Sequence, residues 1–238
     1  MTTIEAVRRG AMALLLGTLT VFASGVPAEE SVEFSEAETR VWMTDQLDAV
    51  SRAMKITYSF VKSGTVEAGF EDTVTFTVEK INPDGTKAAS LEFFSGERRF
   101  PVPAVESTTV NPVIKVYMQG DVYEMNRLTD RDGGARERWR YFQRRIKLAL
   151  AETAVVEPRT FEFDGRQWQG HEIRFQPYVD DPKRDQFERF ANKTYSIVVS
   201  DDLPGYVYRI ETFVPGEGDA QEPLVREVLQ LESITPTE

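Results

Sequence analysis

The chain has 238 residues, of which Lys and Arg make 28 and Asp and Glu 39, giving a formal net charge of −11. With 41% apolar and 28% charged residues, it has the composition of a folded domain rather than of a disordered tail. Zero Cys excludes disulfides, thiol nucleophiles, Cys-ligated metals and a lipid-modified N-terminal Cys, and the single His171 excludes multi-His zinc sites. The acidic balance argues against nucleic acid as a partner, because phosphate contacts need a surplus of Lys and Arg.

Residues 1–28 read as a signal peptide. Arg8 and Arg9 form a positive start, Ala11 to Phe22 is apolar, and Val26-Pro27-Ala28 places small residues at the −3 and −1 positions of a cleavage site. The apolar stretch is too short for a helix spanning about 30 Å of hydrocarbon, and no later apolar run approaches about 18 residues. The expected compartment is the periplasm, with no stable membrane insertion once the leader is removed. Residues 29–238 are then expected to form one domain.

Ser35-Glu36-Ala37-Glu38 has the pattern of a capping box, and Met43, Leu47, Val50 and Met54 follow at 4-3-4 spacing, predicting a helix over 36–54. The period then falls to two: Ile56, Tyr58 and Phe60, then Val74, Phe76 and Val78, then, across the turn Asn82-Pro83-Asp84-Gly85, Ala89, Leu91 and Phe93. This predicts an antiparallel meander with one face buried. Arg98 to Thr109, with Pro101 and Pro103, has no period and is expected to be a loop or irregular edge. Asn111-Pro112 opens a helix to about Leu128, with Gly120 at its centre, and Asp132-Gly133-Gly134 breaks it. A further helix is predicted over 135–151, with Trp139, Phe142, Ile146 and Ala149 at 3-4-3 spacing. Strand period returns with Phe161 and Phe163, the hairpin signal Asp164-Gly165, and then His171, Ile173 and Phe175. A short helix after Asp181-Pro182 to about Ala191 is followed by strands through Tyr195 to Val199 and Tyr206 to Ile210. Pro215-Gly216-Glu217-Gly218 is a turn before a last strand over 224–234. The fold class expected is α+β: a curved antiparallel sheet, an incomplete β-barrel, of about seven or eight strands with three main helices and one short helix.

No nucleophile elbow, phosphate loop, HExxH or GxGxxG occurs. Asp130-Arg131-Asp132-Gly133 starts like a calcium loop but lacks its third acid and terminal Glu. Glu172 is a poor partner for His171, since neighbours on a strand point to opposite faces. No catalytic residue, metal ligand or cofactor is expected, and an acid pair of hydrolase type has no signature beyond the abundance of carboxylates. The helix over 135–151 departs most from its surroundings. Arg136, Arg138, Arg140, Arg144, Arg145 and Lys147 face only Glu137, with Trp139, Tyr141 and Phe142 among them. That is the composition of an interfacial helix or an anionic-ligand site, or else of a helix whose arginines pair with the acidic body.

The order of an N-terminal amphipathic helix, a strand meander, and helices inserted before more hairpins resembles the LolA/LolB type of outer-membrane lipoprotein carrier. Asn111-Pro112-Val113-Ile114, Tyr141-Phe142-Gln143-Arg144-Arg145-Ile146 and Leu203-Pro204-Gly205 are similar to motifs of an uncharacterised family of exported proteobacterial proteins. The carrier resemblance implies an incomplete barrel with helices across its mouth and an apolar cavity for acyl chains. The function expected is a non-enzymatic periplasmic carrier of a lipid or lipoprotein acyl chain. A cell-envelope scaffold that binds a protein is the alternative, and a carboxylate-dependent hydrolase a third. The ligand-binding residues expected are Phe76, Phe93 and Tyr208 on one sheet face, Trp139 and Phe142 from the helix, and Arg144 and Arg145 at an anionic headgroup.

Overall fold

The capping box is present in the structure, a computed structural model that describes residues 33–130, 138–216 and 222–237. Ser35 Oγ accepts from Glu38 N at 3.0 Å and Glu38 Oε2 accepts from Ser35 N at 3.1 Å. The helix it opens is short. α1 (Glu36–Glu38) continues as a π turn over Thr39–Met43 and ends at Thr44, whose ψ of 143° is extended. Asp45 Oδ1 then takes the Leu47 amide at 3.0 Å, a local turn that competes with helix. The 4-3-4 spacing behind the longer helix has another cause: Leu47 and Val50 are buried in the turn, Met54 begins a strand, and Met43 is 54% exposed. The leader over 1–28, the Asp132-Gly133-Gly134 break and the 217–218 part of the last turn lie outside the described residues.

Nine strands follow where seven or eight were expected. They are β1 (Met54–Ser63), β2 (Phe70–Ile81), β3 (Lys87–Phe93), β4 (Val105–Thr108), β5 (Val155–Phe163), β6 (Arg166–Phe175), β7 (Thr194–Val199), β8 (Val207–Val214) and β9 (Val225–Pro236). The additional strand is β4, in the Pro-rich stretch without period, which pairs with β3 only at Lys87↔Thr108 and Ala89↔Val105. The order β4-β3-β2-β1-β9-β8-β7-β6-β5 is antiparallel throughout and makes one open, curved sheet. Two meanders, β1 to β4 and β5 to β9, meet where β1 pairs with β9. Asp164 and Gly165, both at positive φ (52° and 66°), make the hairpin turn between β5 and β6 that the Asp-Gly pair predicts.

Between the two edges the chain forms α2 (Pro112–Thr129) and α3 (Arg138–Glu152). Asn111 caps α2, its Oδ1 accepting from Val113 N at 3.0 Å, while its Nδ2 donates to Gly205 O at 2.6 Å and Tyr58 Oη at 3.2 Å. One buried side chain thereby ties a helix start to β1 and to the turn before β8. The stretch after Asp181-Pro182 is two 3₁₀ turns, Arg184–Gln186 and Glu188–Asn192, rather than one α-helix. Alternation sends Ile56, Tyr58 and Phe60, Val74, Phe76 and Val78, Ile173 and Phe175, and Leu229 and Leu231 to the face beneath the helices, where they are buried with Val113, Met125, Phe142 and Ile146. Residues Phe34–Glu238 form one compact unit around that core. Among the described residues no helix is long and apolar enough to cross a membrane.

Candidate functional site

Two features interrupt the apolar layer between sheet and helices. The first is a largely buried charged network under α2. The strand register sets Lys62 of β1 opposite Glu227 of β9, and Glu227 opposite Thr212 of β8, all toward α2. From α2, Tyr117, Asp121 and Glu124 lie along one side at i, i+4 and i+7, so they meet that row together. Lys193, just before β7, is ion-paired to Asp121 Oδ1, and Tyr195 Oη donates to Asp121 Oδ2 at 2.6 Å. Lys62 Nζ is ion-paired to Glu124 and lies 3.4 Å from Glu227. Tyr117 Oη is 3.2 Å from Thr212 Oγ1, and Tyr178 Oη is 3.3 Å from Tyr195 Oη.

The side chains of Asp121 and Lys193 are 0% and 1% exposed, so the pair is cut off from water. Burial, then the Asp121 charge, pushes the Tyr195 and Tyr178 hydroxyls well above the usual phenol range; both stay protonated as donors. Burial likewise raises the Glu227 carboxyl, opposed by the Lys193 and Lys62 charges. Asp121, Glu124 and Glu227 offer carboxylate oxygens within 4.8 Å of one another, the spacing of a cation site. However, the ammonium groups of Lys62 and Lys193 already contact all three carboxylates and offset two of their three charges, so the cluster is occupied by its own cations and does not fit a divalent ion. What the network can do is fix α2 on the sheet.

The second feature is a cleft of about 610 Å³, open to one side, between α3 and the β6–β7 part of the sheet. Its apolar lining includes Leu148 and Ala149 of α3, Val155 of β5, Phe175 of β6 and Tyr195 of β7. Phe175 and Tyr195 are directly opposed across the strands and stack with ring centroids 4.8 Å apart at 8°. Tyr195 therefore belongs to both features, since it also bonds Asp121 of the network. Leu148 and Val155 are 39% and 49% exposed, which leaves apolar surface at the cleft's rim. The polar lining is charge-balanced, with Arg145 and Arg174 against Glu152 and Asp180. Arg174 donates to Glu157 at 2.5 Å in an exposed pair. Arg145 Nε lies 2.6 Å from Asp181 Oδ2, a fully buried carboxylate that also accepts from Tyr141 Oη at 2.6 Å and Lys183 N at 2.7 Å. Burial, with Asp181 beside it, pushes the Tyr141 hydroxyl up to about 12.

Of the ligand-binding residues expected from the sequence, only Arg145 lines this cleft. Phe76 and Phe93 face the core from β2 and β3. Phe142 is packed between Tyr178 and Phe187 at 5.4 and 5.1 Å. Trp139 is half-buried against Tyr123 at 5.8 Å, and Arg144 is exposed on α3. Tyr208 does not share the face of Phe76 and Phe93. It stacks on Phe161 at 3.9 Å, and Phe161 pairs with Trp168, whose position alternates with that of the inward Ile173. The bulge where β8 passes Val198 and Val199 shifts Tyr208 out of simple alternation. His171 and Glu172 part to opposite faces as expected, His171 Nε2 lying 3.1 Å from Arg40 Nη2 and Glu172 Oε1 accepting from Ser196 Oγ at 2.7 Å. The cleft residues that sequence reasoning missed, Phe175 and Tyr195, were visible as inward strand positions, but their cross-strand pairing was not.

No family model and no curated protein matches the sequence. Among solved structures the chain is similar to the lipoprotein LppX of Mycobacterium tuberculosis, at 10% identity and a TM-score of 0.33 over 86% of this chain and 99% of that one. It is also similar to a LolA superfamily protein from Nitrosomonas europaea, at 11% identity and a TM-score of 0.22 over 85% and 94% of the two chains. LprF from Mycobacterium bovis is a third, at 9% identity and a TM-score of 0.29 over 86% and 96%. These are likenesses of architecture, and they bring no residue or ligand to this chain.

Proposed function

We propose that the protein is an exported, non-enzymatic binding or carrier protein for an amphiphilic ligand such as a lipid or a lipoprotein acyl chain, held in the cleft beside α3. The observation that carries the reading is the cleft itself. Its volume of about 610 Å³ lies in the range of small-molecule sites, roughly 300–1,000 Å³, and its mixed lining, apolar on one part and polar or charged on the rest, suits an amphiphile. Leu148, Ala149, Val155 and the stacked Phe175–Tyr195 pair would take the chain. Arg174 is the cation best placed to meet an anionic head. Its pair with Glu157 is exposed and worth up to about 1 kcal/mol, so a ligand can exchange with it, whereas Arg145 is committed to buried Asp181. Export rests on the leader pattern over 1–28.

Uptake of a fluorescent long-chain fatty acid, with native mass spectrometry of protein isolated from its own cells, tests this. Wild type should bind, and Leu148→Asp with Val155→Asp should weaken binding at least about tenfold, through loss of apolar contact, without lowering thermal stability. Protein that is always empty and takes up no fatty acid would overturn the reading. A second reading, an envelope scaffold holding a protein partner, is favoured by the packing beneath the helices, where Phe76, Tyr58 and Phe142 are buried in a continuous core.

A further inference from the structure

Of the five cations of α3, Arg138 and Arg145 are held on its inner side by Thr129 and Asp181, and the other three share its outer side. Phe142, Ile146, Ala149 and Leu150 are its buried face. Arg140, Arg144 and Lys147, spaced four and three apart, run along the opposite side and are all exposed. Among the described residues neither Arg144 nor Lys147 is paired with a carboxylate. Glu152, the only acid of α3 (Arg138–Glu152), lines the cleft. In a chain of net charge −11 this row is a local reversal of sign. At physiological salt, charges more than about 8 Å away weigh little on it.

The row is bounded by apolar groups. Arg140 lies over the Trp139 ring at 5.2 Å, and Trp139 packs against Tyr123, itself 45% exposed. Leu148, exposed at the rim of the cleft, follows Lys147 directly. Cations flanked by Trp, Tyr and Leu on one exposed helix face suit a lipid headgroup boundary, where aromatic rings sit at the interface and basic side chains reach phosphates. An acidic protein surface or a nucleic acid would call on the charges and leave the aromatic pair and Leu148 without a role.

We infer that the outer face of α3 docks the protein on an anionic bilayer surface, with Arg144 and Lys147 at the headgroups and Tyr123, Trp139 and Leu148 at their boundary. The contact is peripheral and electrostatic. Each cation near an anionic leaflet raises partitioning roughly fivefold. Leu148 at the rim is the one residue shared with the cleft; the cations that carry the docking, Arg144 and Lys147, lie outside its lining, so the inference stands apart from the ligand reading.

Flotation with vesicles tests it, using protein isolated from its own cells. Vesicles with about one-third phosphatidylglycerol in phosphatidylcholine should retain the wild type, and pure phosphatidylcholine should not. Arg144→Gln with Lys147→Gln should lower retention on the anionic vesicles about twenty-five-fold. Arg144→Lys with Lys147→Arg should restore it, and raising salt to 1 M should abolish it, since screening then reaches about 3 Å. Equal retention on both vesicle types, or undiminished retention of the Gln variant, would overturn the proposal. Fatty-acid uptake by the Gln variant should match wild type, so failure of docking and failure of the cleft reading give different results.

Discussion

Asp121 and Lys193 are each costly to bury alone, because neither can recover in the interior the solvation it had in water. Breaking a buried pair from one side costs about 3–5 kcal/mol, whereas replacing both partners by groups of similar shape is often close to neutral. Asp121→Asn and Lys193→Met should therefore each lower stability in urea unfolding by about 3 kcal/mol, and the double variant should regain most of the loss. Additive losses would mean that the pair is not a unit. Glu67 behaves differently because it is partly exposed. The hydrogen-bonded Arg127 guanidinium holds its carboxyl down to about 2, from an ordinary 4.5, against a smaller opposing effect of burial. A depressed carboxyl contributes stability that is complete above pH 4.5 and lost as pH falls toward about 2. Glu67→Gln should flatten that acid limb in urea midpoints measured against pH. At neutral pH, where the pair is screened by solvent, it should cost no more than about 1 kcal/mol.

At the scale of elements, two glycines make opposite predictions. Gly120 sits in the middle of α2 with nothing within 4 Å of an added Cβ. Gly120→Ala should stabilise by about 0.5–1 kcal/mol, through the lower backbone entropy of the unfolded chain. Gly170 in β6 is where the chain passes close to β7, and an added Cβ would meet Val199 O at 2.1 Å and the Phe161 ring at 3.2 Å. Gly170→Ala should destabilise by about 1–3 kcal/mol, as overpacking does, and thermal unfolding of the two variants should move in opposite directions. Gly120 was legible in the sequence as the centre of a helix, whereas Gly170 has meaning only through the neighbouring strand. The same holds for α1: its N-terminus was legible because capping is local, and its C-terminus was not. Leu47 and Val50 satisfy helical spacing while being buried from a turn, because burial is decided by the core that distant segments build around them.

For the whole molecule, the seam between β1 and β9 joins the two meanders and lies at the centre of the nine-strand order. Its pairs, such as Phe60↔Leu229, bring together chain segments from opposite ends of the fold. Such pairings form late and, once made, are flanked on both sides by further strands. In native-state hydrogen exchange, amides of β1 and β9 should be the last to exchange and those of the edge strands β4 and β5 the first. Faster exchange at the seam than at the edges would show that the two meanders open independently.

The sequence by itself determined the classes of chemistry without the residues to support them and the alternating strands with one buried face. It also determined the caps at Ser35 and Asn111 and the Asp164-Gly165 hairpin. Each of these depends on composition or on residues a few positions apart, where sterics and local hydrogen bonds decide. Only the tertiary structure decided which inward, buried residues also form the wall of a cleft. Phe76 and Phe142 were the candidates read from the sequence and lie in the core, whereas Phe175 and Tyr195 reach the cleft wall only because strand order and helix placement assigned their neighbours. It also brought Lys62, Asp121, Glu124, Lys193 and Glu227 into one network, although no two of the elements that carry them adjoin in sequence except through long connections. Side-chain type and period carry through the chain, but the environment that gives a buried charge its partner, or a greasy wall its open side, exists only once distant segments have packed.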